Sequence, residues 1–323
     1  MSTPWNAPEE IQRAYRAACW LEVSALKPGN VSETSPGHGM TAADFHLSAS
    51  VTAGILTQPG LSLGESICRA VAMTRRRVGF NTNLGIVLLC APLARAAGDC
   101  EEPRELHERL KRVLAETSRG DSARVFEAIR LANPGGLGSS DKYDVHSPPR
   151  VGLRRVMAAA AHRDLIARQY VTDFEDVFAI ALPRFRALRA SRKTECCAVT
   201  ELFLYLLAQY PDSHITRKHG PKKAAEVTRW AAEAHALLAT FTGVRARRHL
   251  EQLDARLKAE DVNPGTTADL TVATLFLDRL LKQHDVNTAT TRSVRRADTE
   301  RMPVRDTAFF SSENDERSYQ RWQ

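Results

Sequence analysis

Apolar residues recur at three- and four-residue spacing through nearly the whole of this 323-residue chain, and the strict alternation of a half-buried strand is almost absent. That pattern leaves little room for a sheet-based core and predicts an all-α fold. Ala, Leu, Arg and Glu, all good helix formers, are abundant. The spacing predicts helices over residues 9–26, 41–56, 63–78, 84–97, 103–117, 122–132, 153–170, 174–190, 194–210, 222–240, 245–258 and 267–283. Loops rich in Pro and Gly separate them at 27–40, 58–61, 133–149, 211–221 and 260–266. No internal repeat is visible. The expected architecture is a single multi-helix globular domain over residues 1–284. Residues 285–323 are polar, charged and aperiodic, which predicts a disordered C-terminal tail.

Composition narrows the function. With 43% hydrophobic and 26% charged residues the chain is ordinary for a globular protein. No apolar run approaches the roughly 18 residues of a membrane span, so no membrane partner is expected. The first ten residues lack the basic and apolar regions of a signal peptide, so a cytoplasmic location is expected. Six cysteines without a CxxC spacing give no zinc pattern and fit a reducing compartment. The net charge of +7 favours anionic partners. Its even spread, with only 7% aromatic residues, argues against nucleic acid and for nucleotides or an acidic protein. A homo-oligomer is compatible with all of this.

The chemistry-bearing residues sit at helix–loop junctions. On the first helix, Ile11, Ala18, Glu22 and Ala25 share one face, so Glu22 lies within the apolar stripe. A carboxylate there must be paired, bind metal or stay protonated. Lys27-Pro28-Gly29-Asn30 then ends the helix at a fixed corner. Further on, His38 lies between glycines, and Thr41 with Asp44 reads as a capping box. A basic helix end at Arg75-Arg76-Arg77 meets Gly79, and a new helix opens near Asn83. Helix N-termini suit phosphate, and Asn81 and Asn83 can donate to it, ligate hydrated Mg²⁺ or simply cap.

The remaining clusters lie in the second half. The Gly-rich run from Asn133 to Ser140 lacks the ending of a P-loop and the preceding strand of a dinucleotide fold, so alone it says little. Asp164 is expected in an apolar stripe, paired with Arg168 one turn on. Asp212, Ser213, His214, Arg217, Lys218 and His219 crowd one loop, where Arg217 can fork onto phosphate and Lys218 act as a point charge. Finally Asn263-Pro264-Gly265 precedes a helix for which Thr266 and Asp269 make a capping box, with an anion site at its N-terminus.

In this order the pieces resemble the triphosphoribosyl-dephospho-coenzyme A synthase family. The resemblance rests on Leu21-Glu22-Val23, Lys27-Pro28-Gly29-Asn30-Val31, Asn81-Thr82-Asn83-Leu84-Gly85, Pro211-Asp212-Ser213-His214, Arg217-Lys218-His219-Gly220, Asn263-Pro264-Gly265 and Ala268-Asp269-Leu270. It implies an all-α transferase. ATP and 3′-dephospho-coenzyme A would give a triphosphoribosyl adduct and adenine. Members serving citrate lyase carry Asn-Thr-His-Lys-Gly where this chain has residues 81–85. The version here is similar to a branch found with tetrahydromethanopterin-type coenzyme biosynthesis, which implies a pterin-like acceptor as the second reading. A phosphotransferase and a basic helical nucleic-acid binder are the remaining alternatives.

Displacing adenine from C1′ passes through an oxocarbenium-like state that calls for a base, nearby negative charge and cations on the triphosphate. The expected carboxylate near the sugar is Glu22 or Asp212. ATP and its phosphates are assigned to Lys27, Asn30, Asn81, Asn83, Ser213, Arg217, Lys218 and Gly265, and Mg²⁺ to Asp212 and Asp269.

Overall fold

The structure, a computed structural model, describes residues 7–191, 193–240 and 243–299, with side chains as far as residue 282. Among the described residues there are helices and no strands, only isolated bridges at Ser32–Ser35 and Gly37–Met40. The α-helices in chain order are α1 (Pro8–Ser24), α2 (Ala42–Leu56), α3 (Leu63–Val78), α4 (Leu84–Gly98), α5 (Leu106–Ala115), α6 (Arg119–Ala132), α7 (Leu153–Ala160), α8 (Leu165–Val171), α9 (Leu182–Ala190), α10 (Glu195–Gln209), α11 (Ser213–His219), α12 (Pro221–Thr240), α13 (Gly243–Ala259) and α14 (Gly265–Thr299). A 3₁₀ turn at Pro103–Glu105 leads into α5, and a π-helical segment at Asp176–Ala181 leads into α9. Among the described residues no helix is long and apolar enough to cross a membrane.

The core forms around α4. All of its residues except Arg95 and Gly98 are buried, the pattern of a helix surrounded on every side. It packs against α1, α3 and α5, and the stripe of α14 from Leu270 to Leu280 joins the same apolar cluster. A second cluster lies among α10, α11, α12 and α13, around Phe203, Leu207, Val227 and Leu257. Four cysteines, Cys19, Cys68, Cys90 and Cys100, are buried as free thiols, while Cys196 and Cys197 are exposed.

Pro92 lies inside α4. It has no N–H, so the carbonyl of Leu88 one turn earlier loses its helical donor. The Tyr170 hydroxyl on α8 supplies the missing bond, donating to Leu88 O at 2.7 Å in a buried setting. This bond ties α8 to the centre of the core.

Several elements differ from the sequence expectation. The helix expected over 153–170 breaks at residues 161–164, and Asp164 caps α8 by accepting from Ala167 N at 2.9 Å. It is therefore not paired with Arg168, which binds Asp176 instead through contacts as short as 2.6 Å. A polar side chain that can satisfy free N–H groups competes with helix continuity, and here the cap wins. The loop expected over 211–221 contains α11, for the same reason: Asp212 caps it. The capping box of α2 forms as expected, with Thr41 N donating to Asp44 Oδ2 at 2.7 Å. α14 outruns its expected end at residue 283, because extending an existing helix needs no new nucleus. The tail expected from 285 otherwise falls on residues 300–323, which lie outside the described residues.

Tyr170→Phe should leave Leu88 O buried without a donor and cost roughly 1–3 kcal/mol, read as a lower denaturant midpoint. An unchanged midpoint would show that the carbonyl is satisfied some other way.

Candidate functional site

A cavity of about 950 Å³ opens between the N-terminus of α4, the 133–152 loop, the α7–α8 corner, α11 and the start of α14. That volume is at the upper end of small-molecule sites, roughly 300–1,000 Å³. Glu22, Asn30, Asn81, Asn83, Ser213, Arg217, Gly265 and Asp269 all border it. The sequence motifs are thus brought together from four separate stretches of the chain, 22–30, 81–83, 213–217 and 265–269.

At the α4 end, Asn81 provides the cap: its Oδ1 accepts from Leu84 N at 3.0 Å. The Asn83 amide is left over. It is only 3% exposed, and neither Nδ2 nor Oδ1 has a partner. The neighbouring Thr82 hydroxyl is also buried and unpartnered. Gly85 follows on the first turn, where a Cβ would lie 1.9 Å from Asp269 Oδ2. Only glycine lets that carboxylate lie against α4.

Asp269 does not form the expected capping box with Thr266. The N-terminus of α14 is capped by Asp212, whose Oδ2 accepts from Thr267 N at 2.7 Å and from Thr267 Oγ1 at 2.8 Å. Its Oδ1 accepts from His214 N and Ile215 N on α11. Asp212 is fully buried, with both oxygens occupied, and does not border the cavity. This corrects its assignment as base and as Mg²⁺ ligand: it has no lone pair facing the ligand space. The anion site expected at Gly265 is corrected too. Gly265 N bonds Asn263 O, Thr267 N is taken by Asp212, and a Cβ at 265 would strike His214 Nδ1 at 2.7 Å. Gly265 makes room for an imidazole. Ser213 borders the cavity, but its hydroxyl accepts from Leu165 N at 2.7 Å and anchors α8.

Lys27 is also corrected. It is fully buried, and its ammonium donates to three backbone carbonyls, Glu22 O at 2.7 Å, Ala25 O at 3.1 Å and Val31 O at 2.9 Å. It closes the C-terminus of α1, where a cation is favoured, and has no reach to a triphosphate. Its Nζ lies 3.4 Å from Glu22 Oε1, which has no hydrogen-bond partner. Burial pushes Glu22 up and Lys27 down from their ordinary values, each opposed by the other's charge. Lys218 does not border the cavity and pairs with Asp261 at 2.6 Å. Asn30 donates to Asn263 Oδ1 at 2.7 Å, linking the loop after α1 to the loop before α14.

Arg217 donates through Nε to Gly135 O at 3.0 Å and lies 3.7 Å from Asp164 Oδ2, leaving other N–H groups of its fork for a ligand. Arg163, Lys142 and Arg75 border the same cavity and were not assigned from sequence. Arg163 donates to Ser140 Oγ at 3.1 Å, so the Gly-rich loop and the α7–α8 corner together form a cationic rim. Only the break before Asp164 could have revealed it. His214 also borders the cavity; burial, then Arg217, lowers it to about 4, so it is neutral at physiological pH.

Burial, together with Asp212, Glu22 and Asp164, pushes Asp269 well above the usual carboxylate range. The unfolded chain gives up this proton near pH 4 while the folded chain keeps it, so the group opposes folding increasingly as pH rises from there. Asp269→Asn should therefore raise the melting temperature more at pH 8 than at pH 5. An equal change at both would show that Asp269 titrates normally.

The CitG model, ATP:dephospho-CoA triphosphoribosyl transferase, matches residues 8–288. The chain is 31% identical over 130 residues to a Pseudomonas putida protein named a probable 2-(5''-triphosphoribosyl)-3'-dephosphocoenzyme-A synthase, covering 37% of this chain and 45% of that one. It is 31% identical over 109 residues to the Klebsiella pneumoniae 2-(5''-triphosphoribosyl)-3'-dephosphocoenzyme-A synthase, covering 33% and 38%. The alignments thus span less than half the length of these relatives. A crystal structure of a candidate triphosphoribosyl-dephospho-coA synthase from Archaeoglobus fulgidus superimposes with a TM-score of 0.58 at 28% identity, over 73% of this chain and 98% of that one. With a match that takes in every element around the cavity, the chain belongs to the CitG family, ATP:dephospho-CoA triphosphoribosyl transferase.

Proposed function

We propose that the chain transfers the triphosphoribosyl group of ATP to a hydroxyl of 3′-dephospho-CoA or a closely related acceptor, releasing adenine. One observation carries this reading. A single large cavity joins two desolvated carboxylates, Glu22 and Asp269, to a cationic rim of Arg163 and Arg217. A sugar that develops positive charge next to a polyphosphate needs both.

In this reading the N9–C1′ bond of ATP breaks and a C1′–O bond to the acceptor forms. Glu22 takes the hydroxyl proton, and that proton reaches the departing adenine through solvent, so the balance closes. Burial raises the basicity of Glu22, and Lys27 at 3.4 Å holds it in place. Arg217 and Arg163 hold phosphate oxygens.

Asp212, Glu22 and Asp164 all raise Asp269, with Arg217 opposing them. A divalent cation against Asp269 would take the place of its proton and relieve this crowding. Among the described residues no set of three or more His, Cys, Asp or Glu could enclose one alone. Mg²⁺ commonly takes one or two carboxylates and completes its shell with phosphate and water. Asp269 and Asp164 would hold it, and it would supply neutralisation of the triphosphate.

The direct test is incubation with ATP, Mg²⁺ and 3′-dephospho-CoA, followed by mass spectrometry for free adenine. Release of ADP without adenine would replace this reading with phosphoryl transfer. Arg217→Ala should weaken ATP binding by roughly 1.5–3 kcal/mol, measured by calorimetry, for loss of a charged hydrogen bond. Unchanged affinity would remove Arg217 from the nucleotide site. Glu22→Gln leaves Lys27 its three carbonyls, so the variant should fold while turnover drops roughly 100-fold or more. Retained turnover per folded molecule would take the base role from Glu22.

A further inference from the structure

We propose that the Asn83 side chain reads the edge of an adenine base. The inference rests on the transferase reading and says which part of its substrates this residue meets. Asn83 sits at the N-terminus of the 15-residue helix α4, borders the cavity and is 3% exposed. Its helix does not need it, because Asn81 makes the cap. Both Nδ2 and Oδ1 are buried without a partner. Each such atom costs stability unless a ligand satisfies it.

The two orphans together call for a donor beside an acceptor. A phosphate oxygen accepts, so it satisfies Nδ2 and leaves Oδ1 alone. A metal ion satisfies Oδ1 and leaves Nδ2 alone. A flat neutral edge with a donor beside an acceptor satisfies both. Adenine has such an edge in its 6-amino group and N7, and an Asn amide matches it with two hydrogen bonds. A 6-oxo purine presents two acceptors on that edge, O6 and N7, so neither orientation of the amide satisfies both of its groups. Phe45 and Phe80 border the same cavity, half-buried, and offer flat apolar faces for a base.

Two substrates of the proposed reaction carry adenine: ATP, as the leaving group, and 3′-dephospho-CoA. Binding of ATP, ITP, 3′-dephospho-CoA and its hypoxanthine analogue is measured by calorimetry on the full chain with Mg²⁺. Wild type and Asn83→Ala are compared, with melting curves for both. Wild type should prefer the 6-amino form of one pair by about 10- to 100-fold, the scale of one bidentate base contact. Asn83→Ala should bring that ratio close to one. A lost ATP/ITP preference assigns Asn83 to the donor's base, and a lost preference in the coenzyme pair assigns it to the acceptor's base. Asn83→Asp keeps an acceptor for the amino group and loses the donor to the ring nitrogen. It should weaken the same 6-amino ligand, and it serves if the alanine variant does not fold. Wild type without preference in either pair, or preferences that survive in folded variants, overturns the inference. Wild type that binds none of the four ligands overturns the transferase reading as well.

Discussion

The candidate site depends on one buried carboxylate that never touches a ligand. Asp212 receives four hydrogen bonds, two from the first turn of α11 and two from Thr267 at the start of α14. Burial pushes it towards protonation, and those four donors are what oppose that shift. Two helix N-termini separated by about fifty residues of sequence are thereby fixed to one another. His214 and Arg217 come from one, Asp269 from the other, and both reach the cavity because the knot between them holds. Lys27 has the matching role at the end of α1, where its three carbonyl bonds fix the turn that carries Asn30.

The cavity itself is an electrostatic burden on the fold. Asp269 is crowded by three other carboxylates, and Glu22 and Asn83 keep buried polar atoms without hydrogen bonds. Such arrangements persist where binding requires them, at some cost in stability. The surrounding core supplies the margin: α4 is buried almost all round, and even the carbonyl freed by Pro92 is satisfied.

The helical architecture was legible because long apolar periods at 3.6 residues leave few alternatives. The burial of Glu22 followed from its face on α1, and the meeting of the motifs followed from the family resemblance. Which of the polar residues singled out are spent on holding the fold was not legible. Lys27, Asp212 and Lys218 have the chemistry of phosphate or metal ligands, and each is taken by the protein, through carbonyls, helix N–H groups and Asp261 respectively. Spacing along a chain says which residues share a corner but not which donors they spend on holding it. The break before Asp164 was missed for the same reason, since capping competed with a stripe that looked continuous.

Gly85 and Asp269 lie about 180 positions apart and occupy the same space, one by lacking a side chain and the other by filling the gap. Neither can be explored independently. A larger residue at 85 has no room while Asp269 is present, and a shortened residue at 269 would open a void beside α4. Related sequences should therefore carry the two as a linked pair, changing both or neither, even though nothing in the local sequence of either hints at the other.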